Sequence, residues 1–476
     1  MYDGGAQTWD PIEDGLTGVT DVNQMARAFN VNVHPLYTAT DLGFYKIYDI
    51  TSQDLTWSAR TYGLGTPNLG SVVADPSDPC ALMVATAPNV SPPQIWASGD
   101  SGRSWIELPL GEMDGIEDLH INRLAASQDI TDGGIHGGFA ALTNYGAFAF
   151  ADIFKSGEVP YDDTWGPGVV IVNGDYTVGH GATLTIEGPC TVYFTYLFDN
   201  QHLEPGNRPQ LQVQSSSILR TVADDNNRIL FTSSRPTGKS AGDWDGIALS
   251  HRSTTDLQYC DIEYATTGIS ENPDDYDQIG SLNVDHCTFY KMSNAGIDLY
   301  RSADGAILTI SNSSFTQCGQ YGIRFYQDYR VLPVLLSVSI SHNEIVDCGY
   351  GVWYSGNSNA SHQKVLNLLD NHMTFTTPSP SSQYGIYVTR SSSAGVSPIV
   401  KIDGEDIEYY AQGGIWLNFT HGASSIDRGR VYRCGFYGIR FSNAMAQIIG
   451  QSSSVYSVVD SCCLTSDEIG QIEGLN

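Results

Sequence analysis

Gly322-Ile323-Arg324-Phe325, Gly351-Val352-Trp353-Tyr354, Gly385-Ile386-Tyr387-Val388 and Gly414-Ile415-Trp416-Leu417 state one phrase: glycine, apolar residue, free position, apolar residue. Further copies begin at Gly246, Gly296 and Gly438, with a weaker one at Gly268-Ile269. Successive glycines lie 22, 28, 26, 29, 34, 29 and 24 residues apart. Apolar residues two apart share one face of a strand, whereas a helix needs them three or four apart. A loose period of this length, carried by strands, predicts a stacked β-solenoid with one phrase per coil. The glycine is expected at the turn into the strand, and the free position is expected to point outward.

Composition narrows the setting. Charged residues make up only 16% of the 476, against about 25% in ordinary domains. The net charge is nevertheless −30, because 23 Lys and Arg face 53 Asp and Glu. Such acidity argues against nucleic acid or an anionic membrane surface as partner. It suits an extracellular or high-salt setting, where repulsion keeps a large β-surface soluble, and the chain is expected to be extracellular or on the cell surface. The nine cysteines contain no CxxC pair, so neither a metal finger nor a dense disulfide framework is expected. The longest apolar run, around Val331 to Ile340, is too short to span a bilayer. No signal peptide precedes Tyr2-Asp3-Gly4-Gly5, which reads as a piece of a longer chain whose export signal lies upstream.

The first 152 residues follow another rhythm. Trp9, Trp57 and Trp105 stand 48 residues apart. Ser98-Gly99-Asp100-Ser101-Gly102-Arg103-Ser104-Trp105 resembles the Asp-box (Ser-x-Asp-x-Gly-x-Ser/Thr-Trp) of sialidase-like β-propellers at every fixed position. Asp3 to Trp9 is similar with one extra residue, and Asp49 to Trp57 is a degenerate copy. The box is a hairpin device: the Asp accepts backbone N–H bonds and the Trp packs beneath the turn. Blade-like strands are expected at Leu36–Thr40, Leu82–Thr86 and Phe139–Leu142. A blade takes about 45 residues and closure at least about four blades, so the propeller is expected to be incomplete. Sialidase catalysis, which the resemblance would imply, needs an arginine cluster that Arg27, Arg60, Arg103 and Arg123 do not supply.

Residues 153–164 read as a linker. Beyond them, Val169-Val170-Ile171-Val172 and Asp175 to Gly188 resemble the opening coil of right-handed parallel β-helix proteins of the pectate-lyase-like superfamily. Ile229 to Ser234 followed by Gly242-Asp243-Trp244-Asp245-Gly246-Ile247 resembles their next coil. The resemblance extends over 165–460, about ten coils, with 461–476 as a tail. The fold class is therefore all-β: a right-handed parallel β-helix behind a partial β-propeller.

Each coil also carries a second beat, as in Leu282-Asn283-Val284, Leu308-Thr309-Ile310, Val338-Ser339-Ile340 and Leu366-Asn367-Leu368. An apolar anchor follows: Phe289, Phe315, Ile345 and Phe375. Three residues after an anchor stand Met292, Cys318, Cys348 and, in a later coil, Cys434; the cysteines read as free thiols in an internal stack, with a disulfide between Cys318 and Cys348 as the lesser alternative. Three residues before it stand His286, Asn312, His342 and His372, which read as a side-chain ladder at a turn. His342 and His372 as neighbours about 4.8 Å apart would also suit a metal, though no carboxylate is visibly placed to complete the site.

Gly179-His180-Gly181 matches a polygalacturonase tripeptide, but the Asn-Thr-Asp and Arg-Ile-Lys that those enzymes also need are missing. The acidic groups Asp224-Asp225 and Asp274-Asp275-Tyr276-Asp277 offer oxygen ligands of the kind calcium takes, but the ordinary reading is solvated loops. No cofactor is expected. The free position of the phrase is more telling. Down the coils it reads Ala248, Asp298, Arg324, Trp353, Tyr387, Trp416, Arg440, with Tyr300 and Tyr326 in the next outward column. Aromatic rows suit sugar rings, and Asp298, Arg324 and Arg440 suit hydroxyls or acidic groups. The rival reading is that loops such as 356–382 fold over these rings. The expectation is a non-enzymatic carbohydrate-binding or adhesion protein with a polysaccharide or cell-surface glycan as partner. A polysaccharide lyase or glycoside hydrolase, and an architectural module of a larger surface protein, stay open.

Overall fold

The computed structural model describes the chain except residues 1, 4–7, 10–11, 29–33, 53–54, 77, 111–115, 117, 130–135, 151–152, 180, 197–207, 251, 272–279, 301–306, 327–336, 357–364, 377–381, 391–396, 419, 422, 436, 443–446, 450–457, 461–471 and 474–476. The described residues contain strands and no helix. From Phe154 onward the chain winds as a parallel solenoid with three strands per coil, for example Ser281–Asp285, Thr288–Tyr290 and Ala295–Leu299. The first strands of the coils stack into an 11-stranded sheet, and the second and third strands share a 22-stranded one. Alternation sets what goes inside. Leu282, Leu308, Val338, Leu366 and Val400 lie in register in the first stack. Ile297, Ile323, Val352, Ile386, Ile415 and Ile439 do so in the third. All are buried in one continuous core.

Two corners bend each coil. The corner from first to second strand is a single left-handed residue at Tyr259, His286, Asn312, His342, Asp370 and Arg428, with φ between 49° and 55°. The next corner repeats this at Tyr264, Lys291, Gln317, Asp347, Tyr409 and Arg433. A non-glycine residue pays about 1–2 kcal/mol for that conformation. Here the corner N–H bonds a carbonyl of the next coil, as in Asn312 to Ser341 at 3.1 Å and Asp347 to Thr374 at 3.0 Å, so the ladder continues through the bend.

The glycines of the phrase are not turn residues. Gly246 alone among them has a left-handed φ, of 118°. Gly268, Gly296, Gly322, Gly351, Gly385 and Gly414 are required by crowding. A Cβ on Gly296 would stand 2.5 Å from the Phe315 ring and 2.7 Å from the Gly322 carbonyl oxygen. Each of these glycines meets the anchor side chain and the glycine carbonyl of the coil that follows.

The anchors run Phe289, Phe315, Ile345, Met373, Ile407 and Val431. Met373, not Phe375, therefore fills the fourth place. The expected turn ladder slips with it: Asp370 holds the corner, and His372 lies on a strand between Glu344 and Asp406. His342 and His372 are thus not equivalent neighbours. The buried ladder stands one residue further on, at Ser313, Asn343, Asn371 and Glu405. Ser313 N bonds Asn343 Oδ1 (3.0 Å), Asn343 N bonds Asn371 Oδ1 (3.0 Å), and Asn371 Nδ2 bonds Glu405 Oε1 (2.8 Å). The expected thiols are buried at Cys318, Cys348 and Cys434.

The segment expected as a linker enters the solenoid. Phe154–Val159 pairs in parallel with Gly168–Val178, and Asp163–Trp165 begins the first-strand stack, because its residues alternate as those of later coils do. Ahead of it, besides the antiparallel pair Tyr2–Asp3 and Thr8–Trp9, stand three antiparallel sheets. Two have four strands each: Val22–Arg27, Leu36–Thr40, Gly43–Ile47 and Ser58–Ala59, then Leu69–Ala74, Leu82–Thr86, Ile95–Ser98 and Ile106–Leu108. Ile121–Asp129, His136–Thr143 and Gly146–Phe150 form the third. The Ser98–Trp105 turn has the expected bonds: Asp100 accepts from Ser104 N at 2.9 Å and from Ser104 Oγ at 2.7 Å, and Trp105 is buried. Trp57 Nε1 donates to Ile12 O and Trp105 Nε1 to Arg60 O, both at 2.9 Å, so the two tryptophans hold equivalent places. Residues 4–7, inside the Trp9 copy, lie outside the described residues. The second sheet is docked on the solenoid: Asn173 Nδ2 donates to Asp78 Oδ2 at 2.7 Å, and Ile171 joins its apolar cluster.

Candidate functional site: an aromatic strip and a polar strip

The free positions form one column in register, Ala248, Ser270, Asp298, Arg324, Trp353, Tyr387, Trp416 and Arg440. Ser270 belongs to the weaker copy of the phrase. Trp353, Tyr387, Trp416, Arg324 and Arg440 are half-buried on the outer face. Beside them runs a second aromatic row that the phrase did not reveal, Tyr321, Tyr350, Tyr384 and Tyr437, each placed just before a glycine. The repeated Tyr-Gly pair was the signal in the sequence. With Tyr300 and Tyr326, nine aromatic side chains share one side of the solenoid.

The rings are stacked along its axis. Tyr326 and Trp353 lie 6.0 Å apart and 21° from parallel, and Trp353 and Tyr387 6.1 Å apart and 11° from parallel. Tyr321 and Tyr350 repeat this at 5.3 Å and 18°. Their faces therefore cover one another, and edges and hydroxyls point outward. Trp416 is turned 84° from Tyr387, and the Arg440 guanidinium lies 4.6 Å from its ring centroid and 4.7 Å from that of Tyr437. Burial raises the Tyr350 hydroxyl to about 12 and also raises Tyr384. These hydroxyls thus remain neutral donors through the physiological range.

Asp298 is not presented outward. Its side chain is 5% exposed and grips Arg324, with Nε 2.5 Å from Oδ1 and Nη2 on Oδ2. Asn294 Nδ2 also donates to it at 3.3 Å. Arg324 in turn donates to the Tyr300 hydroxyl and lies 4.7 Å from the Tyr321 ring centroid. Asp298 and Arg324 form a closed support for the rings, not an open acid–base pair. Of the segments that could cover the strip, 357–364 and 377–381, within the expected loop 356–382, lie outside the described residues.

The outer face of the second strands carries a different chemistry, which reading the Gly phrase alone overlooked. Asp261, Thr288, Ser314, Glu344, His372, Asp406 and Arg430 stand in register there. Ligand atoms of His372, Asp406 and Glu408 lie within 4.8 Å of one another. Arg430 already engages both acids, however, with Nε and Nη2 at 2.7 and 2.8 Å from Asp406 and Nη2 on Glu408 Oε1. That guanidinium stands where a cation would, so the residues do not fit a metal. Among the acidic loops, Asp224 accepts from Asn226 N at 2.8 Å and Asn227 N at 3.0 Å, as in an ordinary turn; Asp274–Asp277 and His180 lie outside the described residues.

No helix of the described residues is long and apolar enough to cross a membrane. No curated protein matches the chain, and no solved structure does. Residues 185–337 match the family described as the right-handed beta helix region. With the parallel stacks on either side of that match, the solenoid is a right-handed parallel β-helix.

Proposed function

We propose that this β-helix is a non-enzymatic carbohydrate-binding protein of the cell surface or extracellular space, and that the aromatic strip is its binding face. The observation that supports this reading is the pair of in-register aromatic rows ending at Arg324 and Arg440. Tyrosine, tryptophan and arginine supply large contact area at low entropic cost, and neutral hydroxyls at ring edges suit a hydroxyl-rich polymer. Because the ring faces are largely used, the sugar would lie along edges and hydroxyls. The equivalence of Trp57 and Trp105 supports reading the two four-stranded sheets as propeller-type blades that brace the helix.

Trp416→Ala and Trp353→Ala are each expected to weaken binding of the best glycan on an array about five- to tenfold, the value of one aromatic contact. Unchanged affinities in both variants refute the reading, and no glycan signal at all leaves the architectural module. The hydrolase alternative rests on Glu344 and Asp406, two coils or roughly 9.6 Å apart, close to the roughly 6.5–9.5 Å of inverting carboxylate pairs. The hold of Arg430 on Asp406 speaks against it. Release of reducing ends from a polysaccharide, abolished by Glu344→Gln, would favour it instead.

A further inference from the structure

Where the polar strip passes the first corner, Arg228, His286, Thr288, Ser314, His342 and Glu344 are among the residues lining a groove of about 380 Å³. We propose that this groove is a second saccharide site, built for a neutral sugar and separate from the aromatic strip. Its volume lies in the range of small-ligand sites, roughly 300–1,000 Å³. Its walls are held in place. Arg228 donates to Asp261 at 2.9 and 2.7 Å and to the His286 carbonyl at 3.0 Å, and the His286 ring stacks on Tyr259 at 4.8 Å.

Other groups in the groove keep bonding capacity for a ligand. The Thr288 hydroxyl and the Glu344 carboxylate make no side-chain hydrogen bond with the described residues. The His342 ring has Asp370 at 3.7 Å, beyond hydrogen-bond length. A carboxylate accepts, an imidazole donates or accepts and a hydroxyl does both, which is the complement of adjacent sugar hydroxyls. Electrostatics selects within that class. Asp261 and Glu344 line the groove, Asp285 stands 3.0 Å from His286 and Asp370 beside His342, against the one guanidinium of Arg228. A uronate would meet these like charges, whose repulsion grows where water is displaced.

The test uses the full chain carrying Trp353→Ala and Trp416→Ala, so that binding at the strip is weakened by at least about 25-fold, the product of the two single losses. Saturation-transfer NMR is recorded with short β-linked glucose, mannose and xylose oligomers, and with galacturonate oligomers as the acidic comparison. At least one neutral oligomer is expected to bind with a Kd on the order of millimolar, and galacturonate at least about tenfold more weakly. Adding Ser314→Trp, which fills the groove, is expected to abolish the signal. His342→Gln with Glu344→Gln, which leaves the groove open, should weaken it at least about fivefold. Circular dichroism checks that both variants fold. Absence of neutral-sugar binding in the strip-weakened protein overturns the proposal, as does binding indifferent to both sets of variants or stronger for galacturonate. None of these results touches the strip reading, which the array decides.

Discussion

Gly296→Ala should destabilise the β-helix by roughly 3 kcal/mol, at the upper end of overpacking costs. The added methyl would meet two obstacles at once, the Phe315 ring at 2.5 Å and the Gly322 carbonyl oxygen at 2.7 Å. Neither yields cheaply. Phe315 is stacked on Phe289 at 4.6 Å and 5°, inside a core packed on every side, and the carbonyl belongs to the neighbouring strand. Displacing the strand breaks its ladder, and in a solenoid the damage passes to the next coil. Gly429→Ala is the control. That glycine is also buried, but a Cβ there meets its nearest atom, the Glu405 carbonyl oxygen, at 3.6 Å. Its effect should stay within about 0.5 kcal/mol. Thermal and denaturant unfolding of the two variants checks this, and equal losses would refute crowding as the reason for the glycine phrase.

Glu405→Gln should make the protein more stable at pH 8 than at pH 5, relative to the native chain. Glu405 ends the buried ladder: Oε1 accepts from Asn371 while Oε2 has no hydrogen-bond partner, and the residue is 1% exposed. The next coil supplies only Gly429 at the equivalent place. Burial pushes the carboxyl from 4.5 up to about 8, with Asp370 and Asp403 adding to the rise and the Asn371 bonds opposing it. The folded chain therefore keeps a proton that the unfolded chain has lost. Stability is full below about pH 4.5 and falls by about 1.4 kcal/mol per pH unit as pH rises to about 8, where the loss is complete. Glutamine is neutral throughout and retains the acceptor for Asn371. The difference between the two proteins should grow to the order of 4 kcal/mol at pH 8 and vanish near pH 4. Parallel stability profiles for the two proteins would refute a neutral Glu405.

Much of the candidate site was legible in the sequence. Arg324, Trp353, Tyr387, Trp416 and Arg440 could be aligned because the phrase that carries them is short and contains its own register mark. The neighbouring tyrosines were written just as plainly, one residue upstream of that mark. His372 was misplaced because Phe375 was the more conspicuous anchor, whereas register is set by what packs under the preceding coil, and there Met373 fills the place of Ile345. Asp298 looked outward by alternation. The guanidinium of the next coil closes over it.

The sequence by itself determined the coil, since strand alternation and the repeated phrase are local properties. It also determined which residues fill the core and which column is left free. Only the tertiary structure decided why the glycines are there, where the polar ladder stands and which way the rings face. Each of those depends on contacts between coils whose separation along the chain varies from 22 to 34 residues. Such contacts have no fixed spacing to read: a Cβ is forbidden at Gly296 by a ring nineteen residues later, and the faces of Trp353 are covered by Tyr326 and Tyr387 from the coils on either side.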